Sequence, residues 1–377
     1  MSVHDIAGLF SEFGDFQKHH YPPNRFTGRH PLYLYGAGHL GATTAKALKA
    51  RGITPAAFID NTPSKWGKHI LGIPIVRLEN IKAEDLSDAI VVVTIWNDKH
   101  RYLSTRQHLK GYFRETAHFL ELAYSLPESF LPSYCFDDPQ KTLQHSLPAI
   151  QGFFDQLTDA KSRDEFYRHL KFRLTLDFDC LPLSKRQRYF DRDVFTPGSD
   201  WIYVDAGAYN GDTILEFLEA NGRCRRIVAF EPDGHNFSAL ELRVAKQITP
   251  DLCPNLQLIN AAVGAQPGRL AFSSGNGQGS RLSSDGMQSV EVCTLDDLHG
   301  MNGRMYLKFD VEGGESEALA GARRLLRTFQ PLLAISAYHL PADIWTLAEQ
   351  VSTVNPKYTF AFRTEGEDGL GSVVYAW

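Results

Sequence analysis

The chain has 377 residues, 43% hydrophobic and 22% charged, which is ordinary globular makeup and enough for about two to three domains. A net charge of -5 argues against a dominant basic face, and so against nucleic acid as the partner. Five scattered cysteines without a C-x-x-C pair exclude a zinc or disulfide framework, and no apolar run is long enough for a membrane helix.

Residues 1–30 are polar and aromatic with few periodic cues and read as an irregular lead-in. A strand–turn–helix rhythm then begins. Residues 31–35 predict a strand, 36–41 a tight turn, and 42–51 a helix stopped by Gly52. Residues 56–59 predict a strand ending in Asp60. Residues 89–95 predict a third, apolar on both faces as a buried parallel strand should be. Helices are expected in the gaps. The turn reads Gly36-Ala37-Gly38-His39-Leu40-Gly41, a full G-x-G-x-x-G, and Asp60 stands about 24 residues on. That context suits a nucleotide or nucleotide sugar and resembles the small Rossmann domains of sugar-modifying proteins. Residues 1–123 therefore read as a Rossmann-like α/β domain. Besides ligand binding by Gly36, Gly38, Gly41 and Asp60, a scaffold for homo-oligomer contacts and an NAD(P)-dependent oxidoreductase remain open for it.

Residues 124–200 lack this rhythm and read as a helical linker or cap, with one helix over 147–170. Arg163, Asp164, Glu165, Arg168, Lys171 and Arg173 are expected to form its solvated face. From residue 201 to 377 the rhythm returns. Strands are predicted at 201–205, 227–230, 256–261, 305–310, 332–337, 359–362 and 372–376, with a hairpin of 269–273 and 289–293 inserted before the fourth. The last two lack a long intervening helix. This predicts a doubly wound seven-stranded sheet closed by an antiparallel edge hairpin.

The first strand of this half runs into Asp205-Ala206-Gly207-Ala208-Tyr209-Asn210-Gly211-Asp212-Thr213. Gly207 and Gly211 permit close backbone approach, and a helix start presents N–H groups to a carboxylate. Glu231, about 26 residues after Asp205, ends the second strand, where an acid meets ribose hydroxyls. Tyr209 stands where a pyrophosphate site would need another glycine. A phosphate-free nucleoside such as S-adenosylmethionine fits better.

Four segments in order, 204–213, 230–233, 294–297 (Thr-Leu-Asp-Asp) and 308–315 (Lys-Phe-Asp-Val-Glu-Gly-Gly-Glu), resemble the FkbM family of methyltransferases across roughly residues 186–377. Gly314 replaces an alanine frequent in that family. The resemblance implies a class I methyltransferase fold, S-adenosylmethionine as donor and O-methylation of a sugar, polyketide or similar small hydroxylated molecule. By position it puts Asp205, Gly207, Gly211, Asp212 and Thr213, with Ala208 in the same turn, at the donor's methionine end. Glu231 falls at the ribose, and Asn260 and Ala261 by the adenine.

The candidate catalytic groups are Asp310 and Glu312 after the fourth strand and His339 after the fifth. An alcohol must lose a proton, and an imidazole of ordinary pKa can take it at neutral pH. Burial is expected to raise Asp310, and Lys308 to pair with a neighbouring acid. These three groups could share a metal, but oxygen-rich sets arise often by chance, so no metal is expected. The loop 273–286 is expected to be mobile and to bring Ser280 toward the donor. Reduced thiols and the absence of a basic-then-apolar leader predict a cytoplasmic protein acting on a small molecule, with neither nucleic acid nor membrane as partner.

Overall fold

A computed structural model describes residues 5–97, 99–182, 188–273, 281–282 and 288–377. The chain divides into two compact units. The first comprises residues 1–147, 167–184 and 365–370, the second 148–166, 185–364 and 371–377. The residues of 124–200 are thus divided between the two.

The first unit is built on a six-stranded sheet. Its strands are β1 (Leu32–Tyr35), β2 (Ala57–Ile59), β3 (His69–Ile70), β4 (Ile73–Val76), β5 (Ile90–Val93) and β6 (Glu115–His118), in the order β3-β4-β2-β1-β5-β6. All pairings are parallel except β3 with β4. The apolar strands pack Leu34, Phe58 and Val92 against Ala45 and Leu48 of the helix His39–Ala50.

Three expectations are corrected here. Residues 6–20 form a helix, Ile6–His20, rather than an irregular lead-in. Ile6, Leu9, Phe10 and Phe13 are buried at the i, i+3, i+4, i+7 spacing of one helix face. The Asp5 carboxylate accepts the Gly8 N–H at 2.9 Å and starts the helix. We expect Asp5→Ala to cost about 1 kcal/mol of that unit's stability, read by chemical denaturation, with Asp5→Ser close to wild type. Residues 69–76 form a hairpin instead of a helix. Its two-residue turn, Leu71 (φ +54°) and Gly72 (φ +80°), has the two positive φ values of a type I′ turn. Glu115–His118 is a strand whose polar sequence hides it, and His118 with Glu121 forms a capping box for the next helix.

The second unit carries a seven-stranded sheet of β7 (Ile202–Ala206), β8 (Arg226–Phe230), β9 (Leu256–Ile259), β14 (Met305–Phe309), β15 (Leu332–Ser336), β16 (Phe360–Thr364) and β17 (Ser372–Ala376). The order is β16-β17-β15-β14-β7-β8-β9, and β17 lies antiparallel between β15 and β16. A smaller sheet, in the order β10-β13-β11-β12, joins β10 (Ala262–Val263), β11 (Gly268–Ser273), β12 (Arg281–Leu282) and β13 (Gln288–Cys293). The expected hairpin is its β11–β13 pair, antiparallel from Gly268 to Phe272. Tyr203 and Phe217 stack with centroids 4.2 Å apart in a core that also holds Phe190, Ile227 and Tyr306.

The helix expected over 147–170 is two, Leu147–Gln156 and Ala160–Thr175. Asp159 separates them, accepting the Ser162 N–H at 2.8 Å, a local bond that starts the second helix. The charged face is not uniformly solvated. Glu165 and Arg173 are buried, and each has a partner: the Thr364 N–H donates to Glu165, and the Arg173 guanidinium reaches His169 at 3.0 Å.

Candidate functional site

Four central strands of the second unit end together. Ala206 of β7 is level with Phe230 of β8 and Phe309 of β14, and Phe309 is level with Ile335 of β15. The residues that follow, Gly207, Glu231, Asp310 and Ser336, therefore share one carboxyl edge. Strand order reverses between β7 and β14, and open α/β sheets bind ligands at such a switch point.

At the β7 side the turn is tight. Gly207 has φ +86°, and a Cβ there would stand 1.9 Å from the Asp310 carbonyl oxygen, so only glycine fits between these strand tips. The turn largely satisfies its own amides. Those of Gly207 and Ala208 donate to Phe230 O, that of Gly211 to Ala208 O, that of Thr213 to Asp212 Oδ1, and that of Tyr209 to Glu231 Oε2 at 2.9 Å. Fewer N–H groups remain for a ligand than the motif alone suggests, because the turn closes on itself and on Glu231. One acceptor is left over: Asn210 Oδ1 is buried without a hydrogen-bond partner among the described residues. Ala208 is wholly buried, and Asp212 and Thr213 are half-buried beyond it.

Glu231 sits at the β8 tip, 6% exposed, and burial pushes its carboxyl up to about 7. Its Oε1 accepts the Asp233 N–H at 2.9 Å. Asn260 is exposed and ties the two backbone segments, donating to Glu231 O at 2.8 Å and Pro232 O at 3.2 Å. Ala261 is buried beside it.

Asp205 does not face the edge. It is fully buried and ion-paired with Lys308 of β14 at 2.8 Å, while the Thr213 and Tyr203 hydroxyls donate to its other oxygen at 2.5 and 3.2 Å. Lys308 also donates to Gly207 O at 2.7 Å. Lys308 thus pairs with an acid, as expected, and with the carbonyl of the turn glycine as well.

The second cluster lies beyond β14 and β15. Asp310 Oδ1 accepts the Ser336 and Tyr338 hydroxyls at 2.9 Å each, and Oδ2 accepts the Tyr189 hydroxyl at 2.9 Å. Burial alone would raise this carboxyl, but Lys308, His339 and Arg188 more than reverse it, so Asp310 lies below its ordinary value, opposite to the sequence expectation. His339 Nδ1 is 2.9 Å from Glu315 Oε1, and Nε2 is 3.5 Å from Asp310 Oδ1 and 3.6 Å from Glu312 Oε2. Burial disfavours the charged ring, yet Glu315, Asp310 and Glu312 outweigh it and raise His339 to about 9. At neutral pH the ring already carries its proton. Glu312 is pushed up to about 7 by burial, against His339, and its φ of +54° is a strained conformation for a residue with a Cβ.

The edge therefore brings Gly207, Gly211, Glu231 and Asn260 to one side and Asp310, Glu312 and His339 to the other. Tyr189, Ser336 and Tyr338 were not anticipated as parts of it. Tyr189 is 121 residues from Asp310 in sequence, with no motif to join them. Ser280 lies outside the described residues, as does most of its loop.

In the first unit, Gly36 (φ +112°) and Gly41 are required by packing. A Cβ on Gly41 would stand 2.1 Å from Gly36 O, whereas Gly38 has open space. Asp60 is engaged within the protein: Ala37 N and Lys65 Nζ donate to Oδ2 at 2.9 and 2.8 Å, and Thr62 N to Oδ1 at 2.8 Å. These bonds, Lys65 foremost, offset burial and hold its carboxyl below the usual range.

The second unit's strand order, with its antiparallel β17, is the class I methyltransferase architecture. Residues 205–360 match the family model described as the methyltransferase FkbM domain, and this stretch of the chain is such a domain. The structure of methyltransferase FkbM from Methylobacillus flagellatus KT shares the fold at 21% identity, covering 99% of this chain and 100% of that one, with a TM-score of 0.79. A putative rRNA-methylase from Clostridium thermocellum (12% identity, 51% of this chain and 96% of that one) and a precorrin-6y C5,15-methyltransferase from Geobacter metallireducens GS-15 (13% identity, 52% and 92%) each give a TM-score of 0.32. No curated protein matches the chain.

Proposed function

We propose that this methyltransferase uses S-adenosylmethionine and methylates a hydroxyl of a sugar, polyketide or related small molecule. One observation carries the reading: the glycine turn with Glu231, and the Asp310–Glu312–His339 cluster, occupy adjacent strand tips on one sheet edge.

The residues present fit the donor. Glu231 Oε1 accepts the Asp233 N–H and the Asn236 amide, while among the described residues Oε2 accepts only the Tyr209 N–H and so keeps capacity for a ribose hydroxyl, since each carboxylate oxygen accepts more than one bond. Asn210 Oδ1 is a buried acceptor awaiting a donor, which an α-amine supplies. The turn 207–213 would hold the methionine end, and Asn260 and Ala261 the adenine. When bound, S-adenosylmethionine supplies a methyl group already activated on a sulfonium. An acceptor hydroxyl held in line with that carbon would displace the sulfur, so alignment of the hydroxyl by the surrounding residues would account for much of the rate. Glu312 takes the hydroxyl proton, having a carboxyl near neutrality and a side chain 27% exposed. His339, already protonated, positions the acids around it.

The family match supports a methyltransferase and not a nicotinamide reading of the Gly36–Gly41 turn, where Asp60 is ion-paired with Lys65 as well as bonded to Thr62 and Ala37. Among the described residues no helix is long and apolar enough to cross a membrane. We propose a cytoplasmic setting, supported by five scattered cysteines, none of them in a disulfide.

Calorimetry with S-adenosylhomocysteine tests the reading. We expect binding to the full chain, weakened about tenfold or more in Glu231→Ala, which removes charge-assisted hydrogen bonds. Wild-type affinity in Glu231→Ala, or no binding at all, would sink it.

A further inference from the structure

Three carboxylates, Asp310, Glu312 and Glu315, surround the single imidazole of His339. Lys308 is 3.9 Å from Asp310 and already bonded to Asp205, and Arg188 also acts on Asp310. Asp310, Glu315 and His339 each bring a ligating atom within 4.8 Å of the other two. Ligands on one divalent ion, bonded at about 2.0–2.4 Å, lie no farther apart than about 4.8 Å.

The imidazole supplies an independent observation. Its side chain is 4% exposed, and among the described residues neither ring nitrogen completes a hydrogen bond. Nδ1 approaches Glu315 Oε1 to 2.9 Å but outside hydrogen-bonding direction, and Nε2 stands 3.5 and 3.6 Å from Asp310 and Glu312, too far for hydrogen bonds. The acids, by contrast, are oriented from behind. Tyr189, Ser336 and Tyr338 hold Asp310, while the Val311 and Gly313 amides hold Glu315 at 2.8 and 3.1 Å. Such outer hydrogen bonds are what fix the ligands of a metal centre.

We infer that Asp310, Glu315 and His339 form a divalent-cation site, with Glu312 at its rim, that takes an oxygen-preferring ion of the magnesium or manganese class, the imidazole releasing its extra proton to solvent as the ion binds. One nitrogen among carboxylates favours such ions over thiolate-seeking ones. A hydroxyl bound to the ion becomes more acidic. Its proton passes to Glu312, and its oxygen then attacks the methyl carbon as the carbon–sulfur bond breaks. What the ion does rests on the methyl-transfer reading, but its binding does not.

The test is a Mn2+ titration of the full chain, following the loss of the free-ion electron paramagnetic resonance signal without donor or acceptor. We expect one ion per chain, with affinity about tenfold or more weaker in His339→Gln and, as a second variant outside the buried core, in Glu312→Gln. Circular dichroism confirms that each variant is folded. No saturable binding by wild type, or unchanged affinity in both variants, overturns the site. Methyl transfer persisting in a chelator with no Mn2+ bound would overturn the ion's part in the reaction while leaving the proposed methyl transfer standing. Binding without methyl transfer to any acceptor would leave the site standing and count against the reaction.

Discussion

Lys308→Met is expected to destabilise the second unit by about 3–5 kcal/mol, the cost of leaving one member of a buried ion pair alone. Lys308 is 1% exposed and Asp205 is fully buried, and they meet at 2.8 Å. The two groups are displaced in the same direction for different reasons. For Asp205, burial pushes the carboxyl up against the pull of Lys308 and Thr213. For Lys308, burial pulls the amine down, but Asp205 and Asp310 raise it further. The short contact persuades us that both are charged together. Without the ammonium, Asp205 keeps only two hydroxyl donors, and Gly207 O loses its partner. Urea denaturation reads the loss. The double variant Lys308→Met/Asp205→Leu is expected to lose less than Lys308→Met alone, because the stranded charge goes with it. A Lys308→Met protein within about 1 kcal/mol of wild type would show that the pair contributes as little as an exposed one.

How much of this was legible beforehand follows from the range of the forces involved. The seven strands of the second unit, the inserted hairpin and the turn at Gly207 all leave short-range marks: β-branched runs, glycines and a strand-end acid. The helix Ile6–His20 left them too, in the spacing of Ile6, Leu9, Phe10 and Phe13, but aromatic and polar neighbours blurred the period. The Leu71–Gly72 turn has half of the usual Asn-Gly signal, so its hairpin was invisible. At the site, residue identity alone placed Asp310, Glu312 and His339 together. It could not say that His339 would be surrounded by acids, or that Asp205 would be withdrawn into the sheet by Lys308. Those facts depend on side chains from β7, β14 and β15 meeting across the register, and on Tyr189 arriving from far along the chain. A pKa is set by all neighbours at once, so an imidazole expected near its ordinary value stands at about 9.

Gly207→Ala is the other change with a large expected effect, and Gly211→Ala is its internal control. Both glycines have left-handed φ, +86° and +84°, so each alanine carries about 1–2 kcal/mol of backbone cost. Their surroundings differ. At Gly211 the new methyl meets Leu240 Cδ1 at 2.8 Å, the far end of a side chain that can rotate away. At Gly207 it meets the Asp310 carbonyl oxygen at 1.9 Å and its carbon at 2.8 Å, backbone that cannot move without its strand. That strand is held to β7 by the Asp310 N–H, which donates to Ala206 O at 3.0 Å. Relief therefore requires the tips of β7 and β14 to part, which strains the Lys308–Gly207 bond and shifts Asp310 from its three hydroxyl donors. We expect Gly207→Ala to lose about 3–5 kcal/mol, adding overpacking to backbone strain, and to lose S-adenosylhomocysteine binding even where it remains folded. Gly211→Ala is expected to stay folded with about 1–2 kcal/mol lost. Equal stability of the two variants in urea would mean that the close approach of β7 to β14 is not what reserves position 207 for glycine. The switch-point crevice would then need another account.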